Sequence, residues 1–466
     1  MIFLETLIFI LLIFLFISVI IPKQIEANIF IGLWALVFLL IVIHLIAFGS
    51  RWQLYTLYFS VLLLGVFLYF SIIKHISLNI IIRRILLITS IVMFVISGLS
   101  VLSFPMYHLP EPNGDFLIGT ESFIIEDETR LELYSEDPND YRKTKIQIWY
   151  PAETIEGFQQ APWLEDGQVI ARALSKDIGL PFFALDHTAE IMSNSYLKAP
   201  ISKAFNQYPV VILSHGWRGF RNIHTDYAEE LASLGYIVVG IDHSYGSVAT
   251  VFEDETIYLN PDALPERDDT PDFIDYANQL VNTYASDIIA TLDYLEVINE
   301  VSNPSRFSGK FDLGHIGLIG HSTGGGADVA VALSDDRIDS VIGLDAWVEP
   351  LEENIVTDGL TIPSMFIRSG AWETGENNEN LLLLIENSSD DTEFYQIDGT
   401  THYDFAMVYM YSPLTPYIGF SGSIEDRYLV SILKSMITDF FDETLKGDSN
   451  SQIDESEWEE VRIINE

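Results

Sequence analysis

Ile316-Gly317-Leu318-Ile319-Gly320-His321-Ser322-Thr323-Gly324-Gly325-Gly326 decides how this chain folds. The apolar run 316–319 reads as a buried strand, and the small residues of 325–333 read as a helix. Between them stands Gly-x-Ser-x-Gly, with serine at the apex of a sharp strand-to-helix turn. Such a turn strains the serine backbone, and glycines on either side let strand and helix approach each other closely. The pattern nominates Ser322 as a nucleophile.

A turn of this kind predicts its partners in a fixed chain order: serine, then Asp or Glu, then His. Of the ten histidines only His402 follows Ser322, so His402 is the base by elimination. It stands in a polar, turn-like stretch, 398–405, after a strand expected at 393–397. The acid is expected at the end of the next strand, where Asp345 closes the apolar run 340–344. There it would orient the imidazole and stabilise its protonated form. Asp398 and Asp404 are the alternatives, each so near His402 in sequence that its approach to the ring is awkward. The oxyanion of the reaction needs two donors. One is the backbone N–H of Thr323, directly after the nucleophile. The other is that of Trp217, in the loop Ser214-His215-Gly216-Trp217 that follows an expected strand at 209–213. Losing one such donor costs about 3 kcal/mol of barrier. His215 reads as a brace for that loop rather than a second base. The expected fold is an α/β-hydrolase, a mostly parallel sheet with helices on both faces.

Several of these segments resemble those of the platelet-activating factor acetylhydrolases. They are Ser214-His215-Gly216, Asp242-His243, Gly320 to Gly325, Leu344-Asp345-Ala346-Trp347 with Pro350-Leu351, and Gly399 to His402 with Asp404-Phe405-Ala406. The resemblance runs from about Lys145 to Lys446, and Leu-Asp-Ala-Trp is its most specific piece. It implies a serine-dependent phospholipase A2 without calcium or other cofactor. It also implies Ser322, Asp345 and His402 as triad and Trp217 and Thr323 as oxyanion donors. The best-known members carry an aromatic residue after the serine, where this chain has Thr323, and Gly326 adds a third glycine to the turn.

The first hundred residues have no counterpart in the soluble members of that family. Four apolar stretches, 7–21, 29–48, 54–73 and 85–104, are each about long enough to cross a bilayer as a helix. Trp34, Trp52, Tyr55 and Tyr69 are candidate interface anchors. No basic segment precedes the first stretch, which argues against a cleaved signal peptide. Lys23 falls in the first loop, Arg51 in the second, and Lys74, Arg83 and Arg84 in the third. Placing the first and third loops in the cytoplasm puts the N-terminus, and everything after residue 104, outside. His44 and the few hydroxyl side chains of the spans are expected to face other helices, with no relay pattern among them.

The expected organisation is therefore a four-helix transmembrane region (1–104), a linker (105–120), a hydrolase domain (121–446) and a mobile acidic tail (447–466). The net charge of −43 argues against nucleic acid as partner, since a phosphate backbone needs basic patches. No metal-ligand motif occurs, and with no cysteine there is neither a disulfide nor thiol chemistry. The expected activity is that of a membrane-anchored serine esterase on short-chain lipid or other small esters. A general carboxylesterase or polyester hydrolase is the alternative on the same fold, and a signalling or scaffold protein with a vestigial hydrolase domain the alternative of another class.

Overall fold

The computed structural model describes residues 3–20, 27–70, 79–449, 451 and 453–464. The chain divides into two compact units. One is Met1–Tyr107 with the short segments Pro181–His187 and Tyr411–Pro413; the other holds the rest.

The first unit is built on helices α1 (Phe3–Ile20), α2 (Ala27–Phe48), α3 (Tyr55–Leu68) and α4 (Ile80–Ser103). Among the described residues three of these, α1, α2 from Asn28 on, and α4, are long and apolar enough to cross a membrane. The third expected span is shorter than the sequence suggested. A tight 3-10 turn, Trp52–Leu54, takes up its start, and α3 has 14 residues. Residues 71–73 of that stretch and Lys74, and Lys23 of the first loop, lie outside the described residues. Arg83 and Arg84 stand in the first turns of α4 rather than in a loop, because Asn79 caps that helix by accepting from the Ile81 N–H at 2.9 Å. Leu12, Leu15, Val37, Leu57, Val61 and Leu64 meet inside the bundle, while Leu39, Ile46, Leu62 and Leu99 point outward. The Ser60 and Ser90 hydroxyls each donate to the other's carbonyl at 2.8 Å, joining α3 to α4. His44 does face another helix, and its partner is ionisable: Nε2 lies 3.0 Å from Glu5, which also takes an ion pair from Arg51. Glu5 escaped the sequence reading because the helix starts before the apolar run does.

The second unit contains, in chain order, β1 (Leu117–Leu131), β2 (Tyr141–Ala152), β3 (Gln160–Pro162), α5 (Gly167–Asp177), β4 (Met192–Leu197), β5 (Tyr208–Ser214), α6 (Thr225–Ser233), β6 (Ile237–Asp242), β7 (Ala249–Val251), β8 (Thr256–Tyr258), α7 (Phe273–Asn299), β9 (Phe311–His321), α8 (Thr323–Ser334), β10 (Ser340–Leu344), α9 (Glu353–Asp358), β11 (Ser364–Ser369), α10 (Glu376–Asn387), β12 (Thr392–Ile397), α11 (Asp426–Lys446) and β13 (Val461–Ile463). Eleven strands form one sheet in the order β13-β12-β11-β10-β9-β5-β6-β2-β1-β4-β3. From β6 to β12 every neighbour is parallel. Those central strands are apolar on both faces, as Val210 to Leu213, Ile237 to Val239 and Val341-Ile342 show, and helices cover both sides. This is the α/β-hydrolase architecture. The first strand begins at Leu117, inside the expected linker. The tail is not all loose: β13 pairs antiparallel with β12 and closes that edge of the sheet.

The chain steps from β5 to β6 in one direction and from β9 to β12 in the other. Open parallel sheets hold their ligands at such a reversal, beyond the carboxyl ends of the strands. Ser214 at the end of β5 lies in register with Gly320 near the end of β9, so the two loops expected to carry the chemistry are adjacent.

Helix α6 is buried throughout, carboxylates included. Glu229 accepts from the Ser195 hydroxyl and, at 2.8 Å, from the Asn194 amide, and burial pushes its carboxyl up to about 7. A carboxyl raised above its ordinary value adds stability while it is protonated, and that stability is lost as pH rises through its folded value. The melting temperature should therefore fall between about pH 5 and about pH 8. Glu229→Gln, which stays neutral and can donate to Ser195 while accepting from Asn194, should flatten that slope in a thermal-melt series. An unchanged slope would show that Glu229 is not the group responsible.

Candidate active site

The β9–α8 junction places Ser322 where the backbone is left-handed, at φ 56° and ψ −120°. A non-glycine residue there is strained by about 1–3 kcal/mol, so its surroundings must fix it. The Ser322 N–H donates to the Leu344 carbonyl at 3.0 Å, and its own carbonyl accepts from Trp347 at 2.9 Å and Gly326 at 3.1 Å. The flanking glycines are sterically required. A methyl group on Gly320 would sit 2.5 Å from the Gly324 carbonyl carbon, and one on Gly324 would sit 2.4 Å from the Ser214 oxygen.

Asp345 follows β10, the next strand in the sheet, and also has a positive φ, 41°. Its carboxylate is buried and receives three hydrogen bonds: Ser369 N–H at 2.6 Å, Ser369 hydroxyl at 2.6 Å and His402 Nδ1 at 3.0 Å. His402 therefore carries its proton on Nδ1, leaving Nε2 open toward a candidate nucleophile. Among the described residues Ser322 and His402 share no hydrogen bond; such contacts are often loose without substrate. The two alternative acids are committed elsewhere. Asp398 pairs with Arg462 at 2.5 Å, and Asp404 accepts from the Thr401 and Gly422 N–H groups at 2.6 and 2.8 Å.

The two expected oxyanion donors also come together. The Trp217 N–H reaches the Thr323 hydroxyl at 3.3 Å. The Thr323 N–H heads α8, where the first-turn N–H groups have no partner within the helix and carry the positive end of its dipole. A methyl group on Gly216 would lie 2.8 Å from Ser322 Cβ, so only glycine lets this loop close on the nucleophile. His215 braces the loop, its ring bonded to the Gly216 carbonyl at 2.7 Å and the Ser247 hydroxyl at 2.9 Å. Full burial holds its basicity well below that of a free imidazole.

Three contributors were not assigned from the sequence; His321 stands inside the Gly-x-Ser-x-Gly turn, while Ser369 and Trp372 belong to no motif. Ser369, at the end of β11, supplies two of the hydrogen bonds to Asp345. His321 donates from Nε2 to the His402 carbonyl at 2.8 Å, with the two rings 4.6 Å apart. Trp372 stacks flat on the His402 ring, with centroids 4.1 Å apart and planes 2° from parallel. An aromatic face against an imidazolium is worth about 0.5–2 kcal/mol.

A family model described as platelet-activating factor acetylhydrolase, isoform II, matches residues 101–460. The chain belongs to that family. Platelet-activating factor acetylhydrolase of Canis lupus familiaris is 26% identical over 323 residues, covering 64% of this chain and 68% of that protein. The Gallus gallus protein of the same name is 24% identical, covering 64% and 74%. A probable 1-alkyl-2-acetylglycerophosphocholine esterase of Arthroderma benhamiae is 23% identical, covering 58% and 67%. Among solved structures, a ferulic acid esterase from Streptomyces cinnamoneus superimposes with a TM-score of 0.63 at 21% identity, covering 77% of this chain and all of that one; that likeness concerns the fold. By family, this chain is an ester hydrolase of the serine type.

If the stack on His402 matters, Trp372→Ala should lower kcat on a soluble short-chain ester about tenfold, while Trp372→Phe keeps most of it. Equal losses in the two variants would show that stacking is not the operative contact.

Proposed function

We propose that this protein is a membrane-anchored serine esterase that cleaves short-chain phospholipid esters through an acyl-enzyme. The observation that carries the proposal is the chain of contacts Ser369–Asp345–His402 together with a strained Ser322, next to which the Trp217 N–H reaches the Thr323 hydroxyl. In the reaction His402 Nε2 takes the Ser322 proton as Oγ attacks the ester carbonyl. Asp345 holds the imidazolium that results, and the two N–H groups bind the oxyanion. His402 then gives the proton to the leaving alcohol. Water enters, is deprotonated by His402 in turn, and displaces the acid as His402 returns that proton to Ser322 Oγ.

The substrate class rests on the names of the relatives, which include a 1-alkyl-2-acetylglycerophosphocholine esterase. The anchor rests on the three helices of membrane-spanning length. The positive-inside rule, applied to Lys23, Lys74, Arg83 and Arg84 against Arg51, sets the catalytic unit on the extracytoplasmic side.

The test is hydrolysis by detergent-solubilised full-length protein, wild type beside Ser322→Ala, on p-nitrophenyl acetate and on a 2-acetyl glycerophosphocholine, with and without a chelator. Wild type should cleave both without added metal, and Ser322→Ala should lose about 10⁴-fold or more. Activity on the nitrophenyl ester alone would point to a general carboxylesterase. Equal activity in the two proteins would remove Ser322 from the mechanism.

A further inference from the structure

Among the described residues five that are not glycine hold a left-handed backbone: Lys198, Arg218, Tyr245, Ser322 and Asp345. Two of them are the candidate nucleophile and its acid. Arg218, at φ 67°, directly follows the oxyanion donor Trp217. Its N–H donates to the Gly246 carbonyl at 2.9 Å, a bond that glycine would make equally well and without strain. The backbone therefore carries the strain of a side chain that the turn itself does not need, and strain of this kind gathers at functional sites.

The side chain is also poorly occupied. Arg142 and Arg221 are buried and held by carboxylates, at 2.6 Å from Asp287 and Glu165 respectively. Arg368, on the strand beside Asp345, is likewise buried and bonded to Gln396 at 3.1 Å. The Arg218 guanidinium is 43% exposed and makes a single loose ion pair, 3.6 Å to Asp177 at the end of α5. It forms no hydrogen bond among the described residues, so most of its five donors are open. It is also near the chemistry. Gly216 touches Ser322, and the Arg218 Cα lies at most about 7 Å farther along the chain. In a protein of net charge −43, one open guanidinium beside the oxyanion loop is a local site for an anion that the rest of the surface repels.

We propose that Arg218 determines specificity by binding the phosphate of a glycerophospholipid whose ester carbonyl rests against Trp217 and Thr323. A planar guanidinium fits a phosphate in a two-point hydrogen-bonded pair, and a short glycerol link separates the phosphate from the ester. Asp177 pairs loosely with the side chain until substrate arrives. This inference rests on the phospholipid reading above.

The experiment compares 1-alkyl-2-acetylglycerophosphocholine with 1-alkyl-2-acetylglycerol, which offers the same acetyl ester without the phosphate. Full-length wild type, Arg218→Gly and Arg218→Lys are assayed in detergent. Glycine suits the left-handed turn, so the loop and the melting temperature should survive the loss of charge. The ratio of kcat/KM for phospholipid over acetylglycerol should fall about tenfold in Arg218→Gly, mainly through KM, and Arg218→Lys should recover part of it. An unchanged ratio in a folded Arg218→Gly protein overturns the proposal, and so does an equal loss on both substrates, which would mark Arg218 as a support for the oxyanion loop. Wild type that cleaves the acetylglycerol but not the phospholipid would sink the phospholipid reading itself, a different result from either.

Discussion

Everything in the candidate site depends on holding Ser322 in a backbone conformation that serine avoids. The protein meets that constraint with two devices. One is steric: Gly216, Gly320 and Gly324 remove the β-carbons that would separate the β5 loop, β9 and α8. The other is a set of hydrogen bonds from the neighbouring strand, in which Leu344 accepts from Ser322 and Trp347 donates to it. Those residues flank Asp345, so the bonds that hold the strained Ser322 also set the position of the candidate acid. The Leu-Asp-Ala-Trp segment thus links the two candidate catalytic residues, and its identity is constrained from both sides.

The candidate base is held less directly. His402 lies in a loop after β12, tied down by a capping box in which Thr401 and Asp404 exchange hydrogen bonds. The chain end contributes as well. The Asp398 N–H donates to Glu460 at 2.8 Å, and Arg462 on β13 pairs with the Asp398 side chain. The acidic tail therefore returns to brace the segment that leads to His402. The ring itself is fixed by Asp345 on its edge and Trp372 on its face. Each contact restrains a different rotation of the imidazole, so the two together leave Nε2 a narrow range of directions.

The sequence exposed those features that follow from local chemistry or chain order. The nucleophile turn needs glycines at fixed offsets, and the order serine, acid, histidine left a single histidine to choose. Parallel strands buried on both faces gave apolar runs, which made the alternation of strands and helices readable. What stayed hidden depends on contacts between distant segments. Trp372 and Ser369 belong to no motif, and only the parallel pairing of β10 with β11 brings them to the site. β13 lies in a strongly acidic segment, where charge suggested mobility and pairing with β12 prevailed. In the helical unit hydropathy found all four helices but misjudged their ends. Capping at Asn79 and the turn at Trp52 set those ends, and helix length alone could not show that Glu5 meets His44 and Arg51.

Charge and anchoring belong to one argument. A catalytic unit this acidic would be repelled by an anionic bilayer, over a range of about 8 Å at physiological salt. Surface electrostatics therefore cannot bring it to a lipid substrate. On the anchored reading the apolar helices replace that attraction, since a spanning helix holds the membrane far more firmly than a basic patch does. The enzyme is then free of the cationic surface that a soluble lipase working on anionic membranes would need. On the proposed phospholipid reading, what it still requires is local: enough positive potential to accept one phosphate near the oxyanion loop. A single guanidinium beside the oxyanion loop meets that need without altering the charge of the rest of the molecule.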